Sequence, residues 1–233
     1  VHVDELSPEM IKVRDYVPEY AVIAHRGSTF WTPEETESAY RWAREIGADY
    51  LECDMQVSKD GVVLALHDDN LKRTTNIETV FGETLPREIR QNYYMKIGYS
   101  ETEAEEKVKA DEANFVPNLP AYYTYEELLM LDAGSWFNNE NLEEALPGLA
   151  KEKQYISTLE DLIMYSKGYR LIRDRNQPGM PRQYSIVGKT GETITSLSGT
   201  ADIVKYDFGY EIDPVWEAGN KNIPGIYIEF KEP

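Results

Sequence analysis

The sequence predicts an α/β fold built on buried parallel strands, arranged either as a barrel or as a two-sided sheet. Three observations predict it. A short apolar run, residues 21 to 25, stops at the polar His25-Arg26-Gly27, as a buried parallel strand does where it meets a rim. Ala39, Trp42, Ala43 and Ile46 then recur at helical spacing before a stop at Gly47. Two further strand-like runs follow, 49 to 57 and 62 to 67, separated only by the turn Ser58-Lys59-Asp60-Gly61.

Each element has a local reason. Pro33-Glu34-Glu35-Thr36 is read as the start of the first helix, since proline suits a first turn and two acids favour the positive end of the helix dipole. The third run ends at His67, and from Asp68 to Pro120 the chain turns polar. That stretch reads as an excursion from the core, an insertion over about 77 to 120, with a solvated helix or loop at 100 to 112. Residues 124 to 134 and 157 to 168 each read as a helix, with Thr124 and either Ser157 or Thr158 as N-caps. Residues 169 to 222 mix proline, glycine and short alternating stretches, a second, strand-rich insertion. The β-branched and aromatic run at 226 to 231 is a further core strand.

Composition narrows the partners. Of 233 residues, 41% are hydrophobic, enough for one substantial core. A net charge of −18 repels nucleic acid and anionic membrane faces, and admits a phosphate-bearing substrate only where a metal or a few Arg and Lys residues screen the approach. The single cysteine, Cys53, excludes an internal disulfide, a Cys₄ zinc site and a CxxC redox pair. No integral membrane segment is expected, since no apolar run is long enough to cross a bilayer. The first residues lack the regions of a signal peptide, yet the chain opens on Val1, so a leader removed ahead of it stays open and an exported or periplasmic protein is favoured over a cytoplasmic one. Gly188-Lys189-Thr190 imitates the end of a P-loop, but Gln183 stands where that motif needs glycine. The seventeen tyrosines and four tryptophans are scattered without interleaved basic residues, which suits packing better than base stacking.

The chemistry concentrates on a few positions. Glu52 and Asp54 share one face of a strand, with Cα atoms roughly 7 Å apart. On a one-sided strand such acids face water. In a barrel or a two-sided sheet both are partly buried, and two neighbouring carboxylates then need a cation, for which Mg²⁺ or Ca²⁺ is suited. Of the three histidines, His25 and His67 sit where apolar strands end, and His2 is left in the terminus. At the mouth of an α/β barrel two strand-end histidines would converge on Glu52 and Asp54 as acid and base. Arg26 offers a bidentate phosphate contact or a surface ion pair. Glu229 and Lys231 repeat the two-residue spacing on the last strand, offering a third carboxylate and an ammonium.

The segments AHRG (24 to 27), PEET (33 to 36), GADYLECDMQVSKDG (47 to 61), HDDNLKRTTN (67 to 76) and LDAGSWF (131 to 137), together with STLEDLI and the closing YIEFKEP, resemble the glycerophosphodiester phosphodiesterases. The resemblance covers residues 21 to 76, 124 to 166 and 226 to 233. It implies a TIM-type (β/α)₈ barrel forming one catalytic domain over 1 to 233, of which about the first four core strands stand in this chain. The remaining strands are expected from a C-terminal part or from another chain. It also implies a divalent cation, Mg²⁺ or Ca²⁺, and cleavage of a small-molecule glycerophosphodiester into an alcohol and glycerol 3-phosphate. His25 and His67 would be the acid and base, Glu52, Asp54 and Glu229 the metal ligands, and Arg26 and Lys231 the phosphate contacts. Glu35 stands where the family usually has Asn, a departure expected to bear on the local helix start. Two other readings stand beside this one: a related two-histidine barrel acting on another lipid headgroup, and a non-catalytic headgroup-binding module.

Overall fold

The computed structural model describes residues 7–15, 19–140, 153–172, 183–187, 193–194, 203–207, 209–219 and 222–231. His2 and the 188–190 segment lie outside them. The fold is α/β. Its main sheet has four strands, β1 (Ile23–Ala24), β2 (Tyr50–Val57), β3 (Val63–Ala65) and β4 (Gly225–Phe230). β2 is the spine: β1 and β4 run parallel to it, with Ala24 opposite Leu51 and Glu229 opposite Asp54.

β3 runs antiparallel to β2, Met55 facing Ala65. A turn as short as Ser58 to Gly61 can only reverse the chain, because a parallel return needs a crossover of a dozen residues or so. Gly61 takes φ +82° there, and the Ser58 hydroxyl donates to Asp60 at 2.6 Å. His67 therefore does not stand at the C-terminal end of a parallel strand, as the sequence suggested. It returns inward along β2 from the far end of the hairpin.

The first helix, α1 (Glu37–Glu45), begins later than Pro33. Thr36 is its N-cap, its hydroxyl accepting from the Ala39 amide, and Pro33 to Glu35 form a lead-in turn. The first insertion is helical, with α2 (Arg87–Lys96) and α3 (Glu101–Ala113) around a small apolar cluster that includes Leu85, Tyr93, Ile97, Ala104 and Val108. Ser100 and Glu103 form a capping box at the start of α3, so the charged run is a helix. The helix expected over 124 to 134 shrinks to a single turn, Tyr125–Leu128. Past it the chain continues in i→i+3 turns to Leu131, and the Asp132 carboxylate accepts from the amides of Gly134 and Ser135 and from the Ser135 hydroxyl, leading into a second short helix, Ser135–Glu140. α4 (Leu159–Ser166) takes Thr158, not Ser157, as its cap.

The second insertion contains an antiparallel pair, Tyr169–Leu171 with Tyr210–Ile212, and a sheet in which Gln183–Val187 lies between Thr193–Ile194 and Ile203–Asp207. A short helix, Pro214–Ala218, follows. The core joins β2 to α1 and α4 through Tyr40, Leu51, Cys53, Leu64, Leu162 and Tyr165, with the rings of Tyr40 and Tyr165 stacked at 6.5 Å. The first strand is less buried than an interior parallel strand: Val22 and Ile23 are exposed, as are Tyr227, Ile228 and Phe230 on β4. Both strands pair only with β2 among the described residues, so the described sheet is open. No helix among the described residues is long and apolar enough to cross a membrane.

Arg90 ties the first insertion to the core. Its fully buried guanidinium donates twice to Glu127, at 2.8 and 2.7 Å, and also to Asp111 and to the Tyr122 carbonyl at 2.7 Å. Lys59 of the β2–β3 turn pairs with the same Asp111 at 3.0 Å. Removing one partner of such a pair strands a buried charge, so Arg90→Leu is expected to destabilise the protein by about 3–5 kcal/mol. A urea titration followed by circular dichroism checks this through a fall in midpoint, and an unchanged midpoint would refute it.

Candidate active site

Parallel pairing and β-alternation assemble the site. Glu52 and Asp54 point to one side of β2, and both are buried, at 5% and 1% exposure. The acids therefore do not face water. Because Asp54 is opposite Glu229 in the ladder, a third carboxylate from β4 joins them. Carboxylate oxygens of Glu52, Asp54 and Glu229 lie within 4.8 Å of one another, so these three residues can hold a metal ion.

The cluster is only partly compensated by protein groups. Glu52 Oε2 accepts from the Arg26 amide at 2.7 Å, while Oε1 is buried and makes no hydrogen bond. Asp54 has Lys231 Nζ at 2.9 Å from Oδ1 and Arg26 Nε at 3.1 Å from Oδ2. These are ion-pair distances without hydrogen-bonding geometry, which leaves both oxygens, and Arg26 Nε, without a hydrogen bond. Burial raises the Glu52 carboxyl, and the neighbouring Asp54 adds to this against the pull of the Arg26 amide. Glu229 is more open and accepts from Lys231, whose ammonium is held protonated first by Glu229 and then by Asp54. A buried, under-satisfied oxygen set of this kind fits a hard divalent cation. Cys53, between the acids in sequence, points to the opposite, core face of β2, where burial pushes its thiol up and it donates to the Tyr227 carbonyl at 3.8 Å.

His25 follows β1 and so lies level with Glu52, exposed at the rim. His67 reaches the same region from the other direction, since the Leu66 amide donates to the Asp54 carbonyl at 2.9 Å. Its Nδ1 lies 2.5 Å from Asp68, which leaves Nε2 as the outward nitrogen. Arg26 is turned into the acid cluster, and its guanidinium also meets Glu34 at 3.3 Å. It has φ +56°, and Gly27 after it has φ +86°. A Cβ at Gly27 would stand 2.6 Å from Ala39 Cβ, so the last letter of the HRG motif is a packing requirement against α1.

Four further residues complete the arrangement, none of them a site candidate from the sequence. Arg73 donates to Glu34 at 2.7 and 2.9 Å and to Asp68 at 2.6 Å, linking the Arg26 loop to His67. These three lie within the quoted PEET and HDDNLKRTTN segments, so their position was visible although their pairing was not. Glu35 is the fourth: expected from the sequence to bear on the local helix start, it stands ahead of the Thr36 cap and bonds to β2 instead. It is buried, takes φ +59°, and accepts from the Asp54 amide at 3.0 Å and from the Tyr40 hydroxyl. Burial pushes its carboxyl up to about 8, against the two hydrogen bonds.

Comparison with known proteins bears on the family of the chain. The model of the Glycerophosphoryl diester phosphodiesterase family matches residues 25–187. The mouse glycerophosphoinositol inositolphosphodiesterase GDPD2 is 29% identical over 202 residues, which are 82% of this chain and 32% of that protein. The Bacillus subtilis putative glycerophosphodiester phosphodiesterase YhdW is 27% identical over 190 residues, 81% of this chain and 57% of its own length. A solved Oleispira antarctica phosphodiesterase, in complex with the product sn-glycerol-3-phosphate, aligns at a TM-score of 0.40 and 26% identity over 66% of this chain and 44% of that one. The chain thus spans between 32% and 57% of the length of these two relatives.

Two outcomes follow from the geometry. Gly27→Ala, which adds a Cβ both against Ala39 and at positive φ, should cost about 2–4 kcal/mol of stability, read from urea denaturation. The second concerns pH. Arg73 and then His67 hold the folded Asp68 carboxyl down to about 2, against an unfolded value near 3.9. A depressed carboxyl stabilises the fold above the unfolded value and loses that contribution as pH falls toward the folded one. The stability gap between wild type and Asp68→Asn should therefore be full at pH 6 and shrink steadily between about pH 4 and 2. A gap independent of pH would contradict the pairing.

Proposed function

Since the chain belongs to the glycerophosphoryl diester phosphodiesterase family, we propose that its site hydrolyses glycerophosphodiesters to an alcohol and glycerol 3-phosphate with a divalent cation held by Glu52, Asp54 and Glu229. The observation that carries the reading is the three-carboxylate cluster with its unbonded, buried Glu52 Oε1. It lies on the β2 face flanked by the segments that bring His25 and His67. Mg²⁺ and Ca²⁺ both suit an all-oxygen set. When bound, the cation supplies charge stabilisation to the phosphoryl oxygens and neutralises the acids.

The residues divide the remaining work. Arg26 and Lys231 hold the phosphoryl oxygens, which supplies the positive field that a chain of net charge −18 otherwise lacks. One histidine takes the proton of the substrate's glycerol hydroxyl as that oxygen bonds to phosphorus. The other gives a proton to the alcohol oxygen as its bond to phosphorus breaks. Water then adds to the cyclic phosphate, its proton passing to the histidine that was left unprotonated, and the opened ester recovers the glycerol hydroxyl. Asp68 supports this by holding His67 through Nδ1, so that Nε2 faces the substrate.

The (β/α)₈ barrel is part of the same proposal. Exposed Ile23 on β1 and Tyr227 and Phe230 on β4 mark apolar surface that further strands would cover, from continuing polypeptide or from another chain. A native gene product of 26.8 kDa that sediments as a monomer would refute both sources.

The assay incubates the full-length protein with glycerophosphocholine and, because a relative is named for it, glycerophosphoinositol, each with Mg²⁺ or Ca²⁺. Release of glycerol 3-phosphate is expected, and chelation by EDTA should abolish it. His25→Ala and His67→Ala should each lower kcat by about 10²–10⁴-fold with the fold retained. Undiminished turnover in either variant would remove that histidine from the chemistry.

A further inference from the structure

Glu35 precedes α1 and belongs to neither helix nor strand, yet it is almost wholly buried and held at φ +59°. The left-handed region is unfavourable for a glutamate, and a residue stays there only when its surroundings over-determine it. Three hydrogen bonds do so. The Glu35 amide donates to the Arg26 carbonyl at 3.0 Å, Oε1 accepts from the Asp54 amide at 3.0 Å, and Oε2 accepts from the hydroxyl of Tyr40, which is fully buried on α1.

The reason that Asp54 needs this bond lies in the sheet. On the side of β2 opposite β4, β1 pairs no further than Leu51, and β3 pairs only from Met55 onward. The Asp54 carbonyl on that side is taken by the Leu66 amide. Its N–H faces the gap between the two strands, and the Glu35 carboxyl fills it, doing there what a strand carbonyl does elsewhere. The same residue reaches Glu52 by another route: Glu35 N–H holds Arg26 C=O, and Arg26 N–H holds Glu52 Oε2.

We propose that Glu35 is a positioning residue for the cation site, setting Asp54 directly through its side chain and Glu52 indirectly through the Arg26 backbone. This rests on the reading of Glu52, Asp54 and Glu229 as cation ligands. Its oxygens are turned to the Asp54 amide and the Tyr40 hydroxyl, and the carboxylates that lie together are those of Glu52, Asp54 and Glu229, so it acts through the ligands.

The test measures Mg²⁺ and Ca²⁺ affinity of the metal-free, full-length protein by titration calorimetry, with thermal melts of the same samples. Glu35→Gln keeps an acceptor for the Asp54 amide at the same reach, and is expected to bind within a few-fold of wild type. Glu35→Ala and the shorter Glu35→Asp lose that acceptor and should weaken affinity about 10–100-fold, as the loss of a partner behind a ligand does. Should Glu35→Ala fail to fold, Glu35→Asp and Tyr40→Phe, which keep the packing, carry the comparison. Wild-type affinity in folded Ala, or in both Asp and Tyr40→Phe, overturns the positioning role alone. A wild-type protein that binds neither cation overturns the cation reading and this role with it.

Discussion

Two carboxylates buried side by side on one face of a central strand set the terms for everything around them. Glu52 and Asp54 cannot both be ionised in a low-dielectric environment without positive charge nearby, and the surrounding chain is organised to bring it. Arg26 arrives from the end of β1 and Lys231 from the end of β4, because parallel pairing places both strand ends beside the acids. Glu229 comes with Lys231 and makes the cluster more negative again. The balance of three acids against two cations, with Asp54 and Glu52 oxygens left short of hydrogen bonds, is what makes a bound cation the natural completion.

The ionic network continues outward in a single line. Glu34 meets Arg26 and Arg73, Arg73 meets Asp68, and Asp68 meets His67. Two stretches separated by about thirty residues of sequence are thus locked together across the mouth of the sheet. The cost is backbone strain at Arg26 and Glu35, two of the three non-glycine residues at positive φ among the described residues. Gly27 spares a third strained position, and its lack of a side chain lets the loop lie on α1.

Away from the mouth, the helical insertion is fastened by a second buried charge cluster, Arg90 with Glu127 and Asp111. It touches the β2–β3 turn through Lys59, which pairs with Asp111, while Asp60 of that turn accepts from the Tyr125 amide beyond the insertion at 2.9 Å. The hairpin that returns His67 toward Asp54 is therefore braced from behind by the insertion. That gives an otherwise polar excursion a physical role in supporting the site.

By itself the sequence determined the local elements. Apolar runs broken by His-Arg-Gly and by Ser58 to Gly61 marked the strands, the period-two placement put Glu52 and Asp54 on one face, and Thr124 with the Ser157-Thr158 pair announced helix starts through capping chemistry that acts within four residues. The motifs also named the candidate site residues, because those residue types recur in short, ordered segments. Tertiary structure decided what depends on distant partners. That β3 runs antiparallel and delivers His67 from the opposite direction, that β1 is exposed on one side, and that the helix expected over 124 to 134 is only one turn are matters of pairing and packing. Glu35 is the clearest case: on the page it reads as a helix-start acid, and only the gap between β1 and β3 makes it a stand-in for a strand carbonyl at Asp54. Local propensity is written in neighbours along the chain, whereas a hydrogen bond across nineteen residues exists only after the sheet has formed.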